Sequence, residues 1–290
     1  MRRMLSAVMQ LILATSVNAQ TVAKLDVPDE ESRKAAEKVI EETYRPDIEK
    51  AKTPVQKIEL AKKFLDDGAK TKEDPVARFV LWNLARMRAA EQGDIRIAFD
   101  AIWRIHLEFD VNHYKLFAVT ADTTIKVPKA SKEHVLCANV LLPHMRRAIA
   151  DDKYEYARSF AESALYSAKQ AKVPLEVKKF ETLLEEVNYI ATEFEATKEL
   201  ASTLDSKPTD PQANFAVGKF QCYAKGDWDR GIGKLALGEL EAAMLEFEEP
   251  PNSERIGHAW LAVADNLEGT AKTRVQQRAA QHLRVAVGTL

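Results

Sequence analysis

The chain has 290 residues, of which 46% are hydrophobic and 30% are charged, and its formal net charge is −2. This composition suits a folded interior built from amphipathic helices with a solvated face. The sequence pI is about 6.4 and the basic residues are scattered among acidic ones, so no basic surface for a phosphate backbone is formed. We therefore expect no nucleic-acid partner.

The first nineteen residues have the pattern of a secretory signal peptide. Arg2 and Arg3 form a charged head, residues 5–14 are an apolar run, and small residues end at Ala19. The apolar run is about ten residues long, whereas a membrane-spanning helix needs about twenty. We predict cleavage after Ala19, no stable membrane span after cleavage, and a periplasmic or secreted mature chain over residues 20–290.

Apolar residues recur at spacings of three and four almost throughout the mature chain, and no stretch keeps a period of two. The pattern predicts an all-α fold of about twelve helices, most of them about 12 to 20 residues long. Because short turns join long amphipathic helices, we expect antiparallel pairs stacked as an irregular α-solenoid.

Helix starts and stops are marked along the chain. Thr53 and Pro54, with Gln56, predict a capping box and a first-turn proline. The further predicted starts, in chain order, are Asp74, Ser131, Val173, Asp210 and Ser253. The predicted stops, at glycines that can adopt a left-handed conformation, are Gly93, Gly226 and Gly269.

One turn recurs between helices. Gly93-Asp94 and Gly226-Asp227 precede a small residue by five and four positions, and Asp152-Lys153 does the same, with Tyr154 in the place of Trp228. Each of these small residues begins a row on one helix face, continued by an apolar residue four positions later and a small or apolar residue three positions further on. The small members of such a row let a neighbouring helix approach closely, and two more rows occur elsewhere in the chain. The five rows are Ala61-Leu65-Gly68, Ala98-Ile102-Ile105, Ala157-Ala161-Ala164, Gly231-Leu235-Gly238 and Ala279-Leu283-Ala286.

These turns and rows resemble tetratricopeptide repeats, whose first helix ends in a Gly-Asp turn followed by an aromatic residue. Trp82 falls on the aromatic position near the start of the first helix of that repeat. The chain from about 31 to 287 also resembles secreted helical-repeat proteins of planctomycete bacteria, through stretches such as "FVLWNLARMRAAEQGD" and "GKFQCYAKGDWDRGIGKLALG". The resemblance implies a TPR-like repeat domain over 20–290 with no assigned activity. A sub-boundary is expected near 205–211, before a C-terminal part over 211–290.

Two cysteines, Cys137 and Cys222, would enter an oxidising compartment, where they could form one disulfide. Each also lies in an apolar, helix-like stretch, where a thiol behaves as a small hydrophobic residue. The sequence leaves both readings open and favours two packed free thiols.

Residues suited to catalysis or metal binding are sparse. His134 and Cys137, with His144, are candidate zinc ligands, although the tight Cys or His pairs of recognisable zinc sites are missing. Glu254 and His258 lie one helical turn apart and could form a proton-transfer pair or a simple surface contact. The other histidines are expected to be isolated tips of packed side chains: His106, His113 and His282. We assign no catalytic, cofactor-binding or metal residue and predict that the protein is not an enzyme.

The tryptophans offer two interpretations. Exposed indole rings could stack on sugars, whereas buried ones would wedge adjacent helices together. Trp228 directly follows a Gly-Asp turn, so we predict that this motif is a packing corner. The sequence therefore predicts a periplasmic or secreted scaffold that holds a protein or peptide in a concave groove. The alternatives are an envelope carbohydrate-binding module and an undetected hydrolase.

Overall fold

The computed structural model describes residues 23–288, so the predicted signal peptide over 1–19 lies outside the described residues. The described part is all-α, as predicted, with fourteen α-helices, one π-helical segment and one 3-10 turn. The number exceeds twelve because two α-helices are only six and four residues long. No helix within residues 23–288 is long and apolar enough to cross a membrane.

The elements follow one another with short connections. They are α1 (Glu30–Thr43), α2 (Arg45–Lys50), α3 (Pro54–Lys70), α4 (Pro75–Glu91), α5 (Ile95–Glu108), α6 (His113–Ile125), α7 (Ser131–Ala150), α8 (Tyr154–Ala171), α9 (Pro174–Ser206), α10 (Pro211–Lys219), the π-helical segment (Phe220–Lys225), α11 (Trp228–Leu237), α12 (Glu241–Met244), the 3-10 turn (Leu245–Phe247), α13 (Ser253–Asp265) and α14 (Gly269–Gly288).

Several helix starts are confirmed in atomic detail. The Thr53 hydroxyl accepts the Gln56 N–H at 3.3 Å, and the Gln56 side chain accepts the Thr53 N–H at 3.0 Å, which completes the predicted capping box. Asp74 and Asp210 each accept a backbone N–H three residues later. Val173 precedes α9 without a capping hydrogen bond.

Two predicted caps are wrong by one residue. Helix α7 is capped from Ala130, whose N–H donates to the Glu133 carboxylate, and Ser131 instead donates its hydroxyl to the Ala171 carbonyl at 2.7 Å. Helix α13 is capped by Asn252, which lies one residue before Ser253 and whose longer side chain reaches the Arg255 N–H. The capping oxygen comes from Glu133, inside the helix, at α7 and from the adjacent Asn252 at α13.

The three recurrent turns share one backbone geometry. Gly93, Asp152 and Gly226 all have positive φ angles, of 79°, 56° and 74°. The backbone N–H of the next residue donates a hydrogen bond to a carbonyl of the preceding helical segment. The acceptor lies five residues earlier for Asp94 and Lys153 and six residues earlier for Asp227. The extra residue at Gly226 follows from the wider π-helical segment that precedes it.

The third predicted stop, Gly269, behaves differently. Its φ is 55°, but α13 already ends at Asp265, and Gly269 is the first residue of α14. The prediction that Gly269 ends a helix is therefore wrong. The left-handed residue here sets the direction in which α14 starts.

The small-residue rows allow close helix packing where the sequence predicts it. A side chain at Gly231 would clash with Cys222, and a Cβ at Gly238 would lie 2.6 Å from the Phe215 Cα. Helix α10 and the π-helical segment therefore approach α11 and its C-cap residue Gly238 at backbone distance. This explains why glycine stands at helix positions where it costs about 1 kcal/mol relative to alanine.

The core consists of successive clusters, because each helix packs mainly on its neighbours in sequence. The first cluster joins α1 to α6 around Phe64 and Trp82, the second joins α5 to α9 around Phe117 and Phe160, and the third joins the π-helical segment to α14 around Trp260. A smaller cluster connects the last two regions; its buried members are Tyr154, Ile190, Ala191, Phe220 and Ala224.

Candidate functional site

The Gly-Asp-Trp corner at 226–228 is a packing feature. Trp228 is partly buried, and its ring meets that of Trp260 edge to face, with centroids 5.2 Å apart. The Arg278 guanidinium lies 5.3 Å from the Trp228 ring. Trp260 is fully buried, and Trp82, also buried, donates its indole N–H to the Leu65 carbonyl at 3.2 Å. Three of the four tryptophans therefore pack between helices.

A largely buried carboxylate organises this C-terminal region. Glu246 accepts the Trp260 indole N–H at 2.7 Å and the Arg278 Nε at 2.9 Å, and His282 Nε2 lies 3.1 Å from the same carboxylate. The expectation that His282 is isolated among apolar neighbours is wrong. The arrangement joins the 3-10 turn to α13 and α14, so its role is structural.

Trp103 is the exception among the tryptophans, with 40% of its surface exposed. Three imidazoles surround it, with ring centroids at 5.6 Å for His106, 6.1 Å for His113 and 6.0 Å for His144. The Phe117 ring also packs against the indole in an edge-to-face contact, with ring centroids 5.3 Å apart. We call Trp103, His106, His113 and His144 the tryptophan–histidine surface.

Three helices position this surface. Trp103 and His106 lie one turn apart on α5, His144 lies on α7, and His113 is the first residue of α6. Asn112 caps α6 by accepting the Lys115 N–H at 3.0 Å, which fixes the backbone at His113. The centroids of the His106 and His113 rings are only 3.8 Å apart, so the expectation that these histidines are isolated is wrong.

The imidazoles of the surface are held neutral at neutral pH. Burial lowers the pKa of His113 to about 4, with further contributions from His106 and Lys24. Burial, followed by the charge on His113, lowers the pKa of His144 to about 4. The pKa of His106 is also lowered, by burial and then by Lys24, whose Nζ lies 3.1 Å from His106 Nδ1.

Polar groups continue beside the surface on α6, α7 and α8. Tyr114 donates its hydroxyl to Asp151 at 2.6 Å, and Arg147 Nε reaches the same carboxylate at 2.9 Å. Burial, followed by the hydrogen bond to Asp151, raises the pKa of Tyr114 to about 12. The Asn112 amide donates to the Tyr156 hydroxyl at 3.0 Å. These groups form a fixed polar border.

A second feature is a groove of about 470 Å³ between α6 and α8. Val119 and Tyr166 stand on opposite walls and are 55% and 41% exposed. Ile125 and Ser163 are buried at its base. The complete lining is Ala118, Val119, Asp122, Thr123, Ile125, Lys126, Ser159, Glu162, Ser163 and Tyr166. We call this the α6–α8 groove.

The charges of the α6–α8 groove are largely balanced. Asp122 and Lys126 form an ion pair at 2.7 Å on the α6 wall, and Glu162 stands exposed on the α8 wall. An occupant therefore meets apolar walls, small residues and a weakly acidic border. These properties suit a peptide backbone with modest side chains more than a highly charged ligand.

The candidate zinc ligands do not converge. His134 and Cys137 are buried near the start of α7, whereas His144 lies about 15 Å further along the helix axis, against Phe117. Within residues 23–288 no group of three or more His, Cys, Asp or Glu side chains could hold a metal ion. Burial raises the pKa of the Cys137 thiol and lowers that of the His134 imidazole.

Glu254 and His258 line an open groove of about 800 Å³ between the start of α13 and the end of α14. Both side chains are exposed, and in the described structure no hydrogen bond or ion pair joins them. The geometry of a proton-transfer pair is therefore missing.

The two cysteines are free and buried in separate clusters, Cys137 in the second and Cys222 in the third. Burial raises the pKa of Cys222 to about 12. Both thiols act as small hydrophobic residues in the core, and the disulfide alternative is wrong.

Comparison with known proteins gives no relative. No protein-family model, no curated protein and no solved structure matches the chain.

Proposed function

We propose that the protein is a periplasmic or secreted interaction module that holds an extended segment of a partner protein in the α6–α8 groove. The observation that carries the proposal is the groove itself, which is lined by exposed Val119 on α6, by exposed Tyr166 on α8, and by buried Ile125 and Ser163. The proposal includes no catalytic step.

The architecture supports this use. Consecutive helices pack on one another, and one turn geometry recurs at Gly93, Asp152 and Gly226. Such features are typical of helical repeats that stack into a TPR-like α-solenoid, and we include that arrangement in the proposal. Solenoids of helix pairs present extended concave surfaces, which they use for binding.

The dimensions and chemistry of the groove fit a short extended peptide. The α6 wall runs from Ala118 to Lys126, about 12 Å along the helix axis, which matches three or four extended residues. Ala118, Ser159 and Ser163 are small enough to let a peptide backbone approach. Val119 and Tyr166 can then hold one or two apolar side chains.

The test is affinity capture from an envelope extract with residues 20–290 as bait, comparing the parent with two valine variants. Val119→Lys places a charge in the groove, and Val55→Lys places the same charge at an exposed valine on α3. We expect one partner protein to be enriched by the parent and by Val55→Lys, and lost with Val119→Lys. Equal capture by both variants, or capture of no protein by the parent, would refute the proposal.

A further inference from the structure

The tryptophan–histidine surface lies outside the lining of the α6–α8 groove. We propose that it binds one sugar ring of a neutral glycan, with the apolar face of the sugar stacked on Trp103. The ligand is a carbohydrate, and the surface uses no charge to recognise it.

The first argument is that Trp103 is an exposed ring held in one orientation. Its exposed fraction is 40%, while Phe117 and the flanking imidazoles contact the rest of the indole. Three helices, α5, α6 and α7, provide these contacts, so the ring is held in one orientation without a ligand. A preformed aromatic surface lowers the entropy that binding would otherwise cost.

The second argument is the chemistry around the ring. A neutral imidazole carries one N–H donor and one ring-nitrogen acceptor, so His106, His113 and His144 together can both donate to and accept from hydroxyl groups. The Asn112 amide and the Tyr156 hydroxyl extend the polar border. A sugar ring has the matching pattern, with an apolar face of C–H groups and hydroxyls around its edge.

The third argument is charge. Arg147 is neutralised by Asp151, and the Lys24 amine is directed at His106. Among residues 23–288, the charges that act on these imidazoles are of both signs, with Lys24 and Arg147 opposed by Asp110 and Asp151, so charge of one sign does not dominate the surface. A neutral polyhydroxyl ligand fits this balance better than an anionic or a cationic one.

The inference does not depend on the proposed function, because Trp103 does not line the α6–α8 groove. Loss of sugar binding would leave the capture experiment unaffected, and loss of the protein partner would leave sugar binding intact. The two proposals can fail separately.

The test uses the chain over residues 20–290 and three soluble neutral probes, cellotetraose, maltotetraose and chitotetraose. Each is titrated to about 10 mM while tryptophan fluorescence and heat of binding are recorded, since single-ring stacking sites bind in the millimolar range or tighter. We expect saturable binding of at least one probe, together with lower quenching of the fluorescence by acrylamide.

Variants assign the binding to Trp103. Trp103→Ala, and Trp103→Leu as a variant that keeps apolar cover over Phe117, should each weaken binding by about tenfold or more. Leu107→Ala, one turn further along α5 and 71% exposed, should bind as the parent does. Absence of saturable binding for all three probes, or unchanged affinity in both folded Trp103 variants, would overturn the inference.

Discussion

Trp228 and Trp103 differ in what the neighbouring helices do around them. At Trp228 the next helix pair packs on the indole, because the Trp260 ring forms a T-shaped contact with it and Arg278 lies over its face. At Trp103 the neighbouring helices contribute imidazoles that flank the ring and leave 40% of it exposed. The same residue type is therefore packed between helices in one region and left partly exposed in the other.

The largest effect is expected where the ring is fully buried. Trp260→Ala should lower the free energy of unfolding by about 3 to 5 kcal/mol, because it leaves a cavity and removes a donor from the buried Glu246 carboxylate. Chemical denaturation measures the change. A loss below about 1 kcal/mol would show that the C-terminal cluster does not depend on this ring.

A smaller loss is expected at the close contact between the π-helical segment and α11. Gly231→Val would force a branched side chain against Cys222 and should cost about 2 to 3 kcal/mol through overpacking. Gly233→Val is the matched control, because no neighbouring atom lies within 4 Å of a Cβ added there. Equal melting temperatures for the two variants would contradict the proposed approach of the helices.

The histidines of the exposed region should make stability depend on pH. The pKa of His144 is about 4 in the folded chain, because of burial, and about 6.5 in an unfolded chain. Between these values the unfolded state binds more protons, so this contribution to stability is complete above pH of about 6.5 and decreases as the pH falls towards about 4. Denaturation of the parent at several pH values in this window should show the decrease.

His144→Leu tests the assignment of that pH dependence. The variant keeps apolar contact with Phe117 and removes the titrating group, so its stability should decrease less between pH of about 6.5 and 4 than that of the parent. His258→Leu, at an exposed position, should follow the parent. If His144→Leu and the parent have the same slope, another group carries the pH dependence.

The smallest effect on stability is expected at the exposed ring. Trp103→Ala should lower the free energy of unfolding by about 2 kcal/mol, less than Trp260→Ala, since 40% of the residue is already exposed to water. Chemical denaturation of Trp103→Ala and Trp260→Ala under identical conditions compares the two losses of unfolding free energy directly. A Trp103→Ala loss as large as that of Trp260→Ala would place Trp103 in the core.

Features determined by neighbouring residues in sequence could be predicted. The Thr53 capping box, the left-handed turns at Gly93 and Gly226, and the packing role of Trp228 all follow from short motifs with known backbone requirements. The cap predictions failed at Ser131 and Ser253, because the Glu133 carboxylate and the Asn252 side chain provide the oxygen that bonds the helix start instead.

The tryptophan–histidine surface could not be predicted in the same way. His106 and His113 meet across a turn, and His144 joins them from another helix, so the cluster depends on how α5, α6 and α7 pack. The only local signal is the spacing of Trp103 and His106, one turn apart on α5. The α6–α8 groove likewise requires helices that are separated by α7.

The most direct test of the contrast is acrylamide quenching of two single-tryptophan chains, one that retains only Trp103 and one that retains only Trp228, with phenylalanine at the other three positions. We predict strong quenching of Trp103 and weak quenching of Trp228. The Trp228 ring is covered by Arg278 and by the aromatic side chain at position 260. Equal quenching of the two rings would contradict the division into a packing corner and an open binding surface.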